Sequence, residues 1–301
     1  MASEIAGLAS QRERGAEERP RRVSPRVWRN PPAVLGAAVV LILIFTALLA
    51  PYLAPYDPAE QFFDGLTLQG MPLAPNHRFL LGTDLLGRDL LSRLIYGARV
   101  SLLIGVVANG AALLIGTSLG TLAGFFGGWV GNAIMRFTDL MMAFPALLLA
   151  IALAAILRPS LWIVALVIAL VNWVQIARVV YGQVLSLNER EFVTAARAVG
   201  APAGRILLRH LLPHLVPTLV VWGTLGIATT VLLEATLSYM GVGVQPPMAS
   251  WGGIINESQS YFLDAPWLVA FPGAAILLTS LAFNLVGDAL RDALDPERVT
   301  G

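Results

Sequence analysis

Gly116-Thr117-Ser118-Leu119-Gly120 has the G-x-S-x-G spacing that, on a strand-to-helix turn, presents a nucleophilic serine. His210 and His214 stand four residues apart, the spacing of two metal ligands on one helical turn. Asp139 and Glu234 are carboxylates in apolar surroundings, where an ionisable group is a candidate for ion or proton handling. Each chemistry needs a context. Ser118 lies inside a long apolar run, and Gly116, Gly120 and Gly124 repeat every four residues, which reads as close helix packing. Pro213 falls between the two histidines and no HExxH glutamate accompanies them. Asp139 has Arg136 one helical turn away as an expected partner, whereas Glu234 has none nearby in sequence. Glu234 is left to cap amides, to bond a neighbouring helix, to line a path or to carry a proton.

Composition removes other chemistries. Every one of the 20 basic residues is Arg, so a P-loop, a Schiff-base lysine and a kinase-type lysine are all excluded. Without Cys there is no disulfide framework, thiolate metal site or Cys nucleophile. No glycine-rich phosphate loop or aromatic-basic nucleic-acid platform is present. At 56% hydrophobic and 13% charged, with mean hydropathy +0.72, the chain is far more apolar than a soluble domain.

The elements that position these residues are membrane spans of about 20 apolar residues. Uncharged runs place six: Asn30–Tyr56, Val100–Met135, Leu140–Leu157, Pro159–Ala177, His210–Leu233 and Ala265–Gly287. The stretch before the first span carries seven Arg and reads as a disordered tail over 1–29. With that tail in the cytoplasm, fifteen Arg face inward and five outward, the bias that sets orientation. Both termini are then cytoplasmic, 293–301 being a second tail, and the first span is no cleaved signal peptide.

Between the fourth and fifth spans lies "EFVTAARAVGAPAGRILLRHLLPHL", a hairpin expected over 188–213. Asn188 followed by Glu191 reads as an N-cap and its reciprocal partner. "EFVTAARAV" forms the first helix, with Phe192, Ala195, Ala196 and Val199 as an apolar ridge. Gly200 suits the left-handed residue that ends it, and Pro202 starts the second helix. Arg205 and Arg209 lie on its wet side, and Pro213 and Pro217 mark the return to the membrane. Such a hairpin either rests on lipid headgroups or docks its ridge into a groove on a partner.

"TAARAVG" followed by "HLLP" resembles the EAA loop of bacterial ABC-importer permeases, the hairpin that in that family couples to the cytoplasmic ATPase. Ala195, Ala196, Gly200, Leu212 and Pro213 match. Thr194 stands where the family often has Glu, and Glu191 lies one turn earlier. "HRFLLGTDLLGRDLLSRLIYGARVSLLIG" resembles the segment entering the second span of DppC/OppC-like dipeptide and oligopeptide permeases, with Gly82, Asp84, Arg88, Asp89, Arg93 and Arg99 in place. "EATLSYMGVGVQPPMASWGGII" resembles the end of their fifth span, containing Gln245, Pro246, Pro247 and Trp251.

From the residues themselves, Asp84 and Asp89 can pair with Arg88 or Arg93 as a clamp on an external segment, with direct substrate contact as the other reading. The Pro-Pro stretch with its Trp suits an external re-entrant or gate loop at the membrane interface, with contact to a binding protein as the sharper reading.

The resemblance implies an all-α integral membrane protein, a type I (MetI-like) permease core over 98–292 with an extra N-terminal span and external segment over 30–97. It implies a non-catalytic subunit of an ATP-driven importer working by alternating access, with a homologous second permease, one or two ATPase subunits that bind ATP and Mg, and an external binding protein. The cell is bacterial or archaeal and the membrane the cytoplasmic one. Peptides are the expected cargo, with nickel, glutathione-like and sugar substrates known among relatives. A proton-coupled secondary transporter using Glu234 and an intramembrane hydrolase using Ser118 are the competing classes; neither accounts for the hairpin.

Overall fold

A computed structural model describes residues 30–158 and 160–294. The 1–29 tail, Pro159 and residues 295–301, with Arg298 among them, lie outside the described residues. Nine helices of eight residues or more carry the described fold: α1 Pro31–Leu48, α2 Leu90–Phe126, α3 Gly128–Met142, α4 Ala146–Ile156, α5 Leu161–Asn188, α6 Glu191–Ala198, α7 Leu212–Tyr239, α8 Trp251–Ser258 and α9 Trp267–Leu294. Isolated bridges, Leu66 to Pro72 and Thr83 to Asp89, are the β-type pairing among the described residues.

α2, at 37 residues, is about 55 Å long, nearly twice the hydrocarbon thickness. Asp89 caps its start, accepting from the Ser92 amide at 2.8 Å and the Ser92 hydroxyl at 2.6 Å. The expected boundary at 97/98 therefore falls inside one continuous helix. The most extensive helix pair is α2 against α5. There Gly116, Gly120 and Gly124 meet the α5 backbone: a Cβ on Gly120 would come within 2.5 Å of the Ala177 carbonyl oxygen and 2.9 Å of Val180 Cβ. The G-x-S-x-G stretch is thus a packing seam inside a helix, without the turn a nucleophile needs.

Several span boundaries move relative to the uncharged runs. α2 ends at Phe126, because Gly127 and Gly128 take φ of 58° and 50° and turn the chain. Residues 128–135 consequently belong to the third hydrophobic unit, which is a bent pair: α3 and α4 meet at 87°. Pro145 explains the bend, since its ring supplies no amide donor and disfavours a helical Phe144. Among the described residues five helices are long and apolar enough to cross a membrane, and the bent pair makes a sixth if taken as one span. α5 runs on through Arg178 to Asn188, and α9 through Arg291 to Leu294. Counting uncharged residues stops at Arg178 and at Asp288, but each helix continues, with its charged positions facing water or protein.

The hairpin does not separate cleanly from the fifth span either. A helical turn at Ala203–Arg205 and a π-helical turn at Ile206–Leu211 feed into α7, so one continuous helix spans Ala203–Tyr239. Near its middle, Asn109 of α2 donates from Nδ2 to the Gly223 carbonyl at 2.6 Å and packs on Gly226.

Residues 54–89 form a separate cap on the Leu90 end of α2. Tyr56, Phe62 and Phe79 pack edge-on and tilted, with ring centroids 5.0–5.7 Å apart. Arg78 lies over Phe62 and Phe79 and bonds Asp64.

Candidate functional site

Two constellations stand at opposite ends of the helix bundle. At the hairpin end, α6 and the π turn are fastened to α5 through one apolar core containing Val180, Val184, Val193, Ala196, Ile206 and Leu211. Gly200 takes φ of 76°, the left-handed corner expected from sequence, and a Cβ there would meet nothing within 4 Å. Strain alone selects glycine at this corner.

The capping expectation at Asn188 needs correction. Asn188 is the last residue of α5; it donates to the Gly124 carbonyl at 2.8 Å and accepts from Arg197 at 3.1 Å. Arg190 occupies the N-cap of α6 without a side-chain cap bond. The expected ridge also divides. Ala196 is buried against its own chain, and Phe192 stacks on His214 with centroids 4.9 Å apart. Glu191, Thr194, Ala195 and Val199 point outward, as do Arg205, Leu208, Arg209 and Pro213, while Leu212 is half-buried. The open face of the hairpin therefore carries both apolar and basic groups. The ring stack gives His214 a structural role, and among the described residues no three His, Cys, Asp or Glu side chains cluster as a metal site.

At the other end, Asp84, Arg88, Arg93 and Glu257 form a buried ion cluster. Arg88 Nε donates to Asp84 at 2.6 Å and its Nη2 to Glu257 at 2.5 Å. Arg93 reaches the same Glu257 at 2.9 Å, with its Nε 3.2 Å from Asp84. The Arg93 side chain is 1% exposed and Glu257 28%. Asp89, a candidate partner for these arginines, instead caps α2. Gly82 turns the chain at φ 83° just before the cluster, and Arg99 is exposed on α2 without an ion pair among the described residues. Sequence reasoning missed Glu257. The available signal was charge balance: it is the single acid between Gly241 and Leu263, available to the Arg88 and Arg93 pair.

The cluster ties the 54–89 cap to α8. Trp251 reinforces the tie: it is 1% exposed, and its indole N–H donates to the Leu94 carbonyl at 3.1 Å. This corrects the expectation of a Trp at the lipid interface, because the first turn of α8 is packed between helices. Before α8, the 241–250 loop folds over the end of α7. Gln245 donates to the Gly241 and Gly243 carbonyls, both at 3.1 Å, and Pro246 and Pro247 are exposed. Beneath it Glu234, fully buried, accepts from Ser101 of α2 at 2.8 Å and from Ser238 at 2.7 Å; Ser238 in turn accepts from the Val244 amide at 3.1 Å. Among the roles open to it from sequence, Glu234 takes that of bonding a neighbouring helix and, through Ser238, the loop.

Asp139 pairs with Arg178 of α5, not with Arg136 on its own helix. Both side chains of the pair are about half exposed.

Cutting Glu257 out of the cluster leaves two buried arginines with one carboxylate, a loss of about 3–5 kcal/mol for a broken buried pair, toward the low end given the partial exposure of Glu257. Glu257→Ala should therefore render residues 57–89 cleavable at protease concentrations that leave the wild type intact, with a lower melting temperature. Unchanged cleavage and melting would show that the cluster does not hold the cap.

Comparison with known proteins agrees with this architecture. The family model for the binding-protein-dependent transport system inner membrane component matches residues 116–299, and that for the N-terminal TM domain of oligopeptide transport permease C matches residues 21–74. The chain is 42% identical over 277 residues to the dipeptide transport system permease protein DppC of Alkalihalophilus pseudofirmus, covering 92% of this chain and 90% of that one. It is 46% identical over 269 residues to the di/tripeptide transport system permease protein DppC of Pseudomonas aeruginosa, covering 89% of each. To the glutathione transport system permease protein GsiD of Pectobacterium atrosepticum it is 43% identical over 272 residues, covering 90% and 89%. Among solved structures it is similar to the MetNI methionine ABC transporter in an inward facing conformation, with TM-score 0.56 at 20% identity, covering 67% of this chain and 96% of that one.

Proposed function

Because the chain belongs to the family of binding-protein-dependent transport system inner membrane components, we propose that it is the permease subunit through which an ATP-driven importer passes short peptides. The observation that carries the peptide assignment is the similarity, over 89–92% of the chain, to permeases of dipeptide, di/tripeptide and glutathione transport, three cargoes that are all small peptides. The chain itself is a non-catalytic membrane component. A second permease, ATPase subunits binding ATP and Mg, and an external binding protein complete the proposed machine. The hairpin at 188–213 is its ATPase-coupling element: a left-handed corner fixes two arms, and their outward face presents Val199, Leu208, Arg205 and Arg209. Alternating access follows if movement of the ATPases displaces this hairpin.

The direct test is reconstitution. Vesicles containing this chain, its partner permease, the ATPases and the binding protein should accumulate a radiolabelled dipeptide only with ATP. This chain purified alone should hydrolyse none, as it has no lysine to complete a phosphate loop. ATP hydrolysis by the isolated chain, or uptake without the ATPases, would overturn the reading in favour of another energy source.

The arginine bias further places 57–97 and 243–265 outside, and both termini and the hairpin inside. Single cysteines replacing the exposed Gln69 and Glu189 in this Cys-free chain should react with an impermeant maleimide from opposite sides of intact cells. Labelling of both from outside would invalidate that orientation.

A further inference from the structure

The hairpin half of α5 has an unusual open face. Gln175, Arg178, Gly182 and Ser186 recur at intervals of three or four residues and are all exposed, with Leu185 the apolar member of the group. Toward its Leu161 end the same helix exposes Trp162 and Leu166 instead. A face turned to lipid would be apolar throughout, since a charged or amide side chain in hydrocarbon is costly and such groups face water or protein. The opposing α3 exposes Asn132, Arg136 and Asp139, a second polar row, and the Asp139–Arg178 ion pair crosses between the two.

Cavities lie against two different faces of α5, the first on the side of Arg178. One of about 250 Å³, at the 87° bend, is lined by Met141, Met142, Phe144, Val171, Val174 and Gln175. The other, about 460 Å³, is lined by Val179, Gln183, Thr218, Trp222 and Arg291 among others. Gln183 donates to Thr218 at 2.7 Å, but its Oε1 is buried and lacks a partner. Gln175 stands one turn from Arg178 on the same exposed side of α5, whereas Gln183 is turned about 140° away from Arg178.

We propose that this stripe is the chain's wall of the translocation path, and that the Asp139–Arg178 pair is a station for the two termini of a short peptide. The inference rests on the peptide-import reading above and deepens it. Arg178 receives the carboxylate through its forked donors, and Asp139 receives the α-ammonium group. Each terminus replaces a like charge, so the pair opens without leaving either side chain uncompensated. Side chains of the cargo lie over Met141 and Met142, whose flexible thioethers repack around different shapes. Gln175 supplies its amide group to the peptide backbone. The site recognises what all short peptides share and adapts where they differ.

The chain's lack of cysteine allows a direct test. Gln175→Cys and Gly182→Cys are made separately in the reconstituted complex. A charged methanethiosulfonate reagent is applied from the hairpin side without nucleotide, with exposed Ile42→Cys on α1 as the lipid-facing reference. Both path positions should react at least tenfold faster than the reference. Millimolar dialanine should slow them about fivefold, whereas N-acetyl-dialanine amide, lacking both charges, should not. Arg178→Gln, in a complex recovered at wild-type yield, should remove the protection. Reaction no faster than at residue 42 overturns the wall, including the case where the second permease seals it. Equal protection by the blocked peptide, or protection that survives Arg178→Gln, overturns the terminus station. ATP-dependent dialanine uptake by the unmutated complex is measured alongside. Its absence counts against peptide import, while the labelling rates still decide whether the stripe faces water.

Discussion

Gly200→Val is expected to reduce ATP-driven uptake at least tenfold while leaving the amount of chain in the membrane unchanged. The left-handed corner has room for a side chain, so the penalty is backbone strain of about 1–3 kcal/mol for a β-branched residue. That strain acts on one corner, outside every apolar span, and each 1.4 kcal/mol shifts the population of the correctly formed hairpin about tenfold. Gly204→Ala serves as the control: it lies four residues on, in a helical turn, with open space around it and no positive φ. It should be neutral or slightly stabilising. A second variant tests the docking face without touching the corner. Val199 is 83% exposed, so Val199→Glu leaves the fold intact and sets a charge against the ATPase surface. Co-purification of the ATPases should fall with both Gly200→Val and Val199→Glu. If both retain uptake and ATPase binding, the hairpin is a loop lying on headgroups.

Gly120→Leu should have the larger effect on the protein itself. The new Cβ would stand 2.5 Å from the Ala177 carbonyl oxygen and 3.1 Å from the Tyr181 amide nitrogen, both backbone atoms of α5. A backbone cannot rotate aside as a side chain does, so α2 and α5 must separate along the longest contact in the bundle. Overpacking of this kind costs about 1–3 kcal/mol where side chains can adjust, and more where they cannot. The expected result is a several-fold loss of chain from the membrane and failure to recover the complex in detergent. Gly110→Ala on the same helix has no neighbour within 4 Å and should behave as wild type. Normal assembly of Gly120→Leu would mean that the two helices do not pack as described.

What the sequence disclosed follows physical lines. The spans were legible because hydrocarbon imposes a long uncharged run, and the Gly200 corner because few residues tolerate positive φ. The seam of Gly116, Gly120 and Gly124 was legible from its period alone. The helix ends were not: Arg178 and Asp288 interrupt the apolar count while the helices carry on. The partner of Asp139 was misread because Arg136 is near in sequence, whereas α3 packs on α5 and brings Arg178 closer. Glu257 lies far along the chain from Arg88 and Arg93; charge balance singles it out, but it takes the fold to make it their shared counter-ion. The apolar ridge of the hairpin was drawn from helical period, which finds a stripe but not its occupant. Ala196 turned out to face its own α5.

The continuous helix Ala203–Tyr239 begins at the hairpin and ends beneath the 241–250 loop, a rod of about 55 Å. Asn109 holds it at Gly223 and Gly226, close to its midpoint. It is fastened near its ends as well, by Ser101 of α2 to Glu234 and by Leu211 and Leu215 against α5. A rod pinned to its neighbours at several heights moves with them as one body. Under the coupling proposed above, a thrust on the Arg205 end would therefore carry the 241–250 loop along with the bundle.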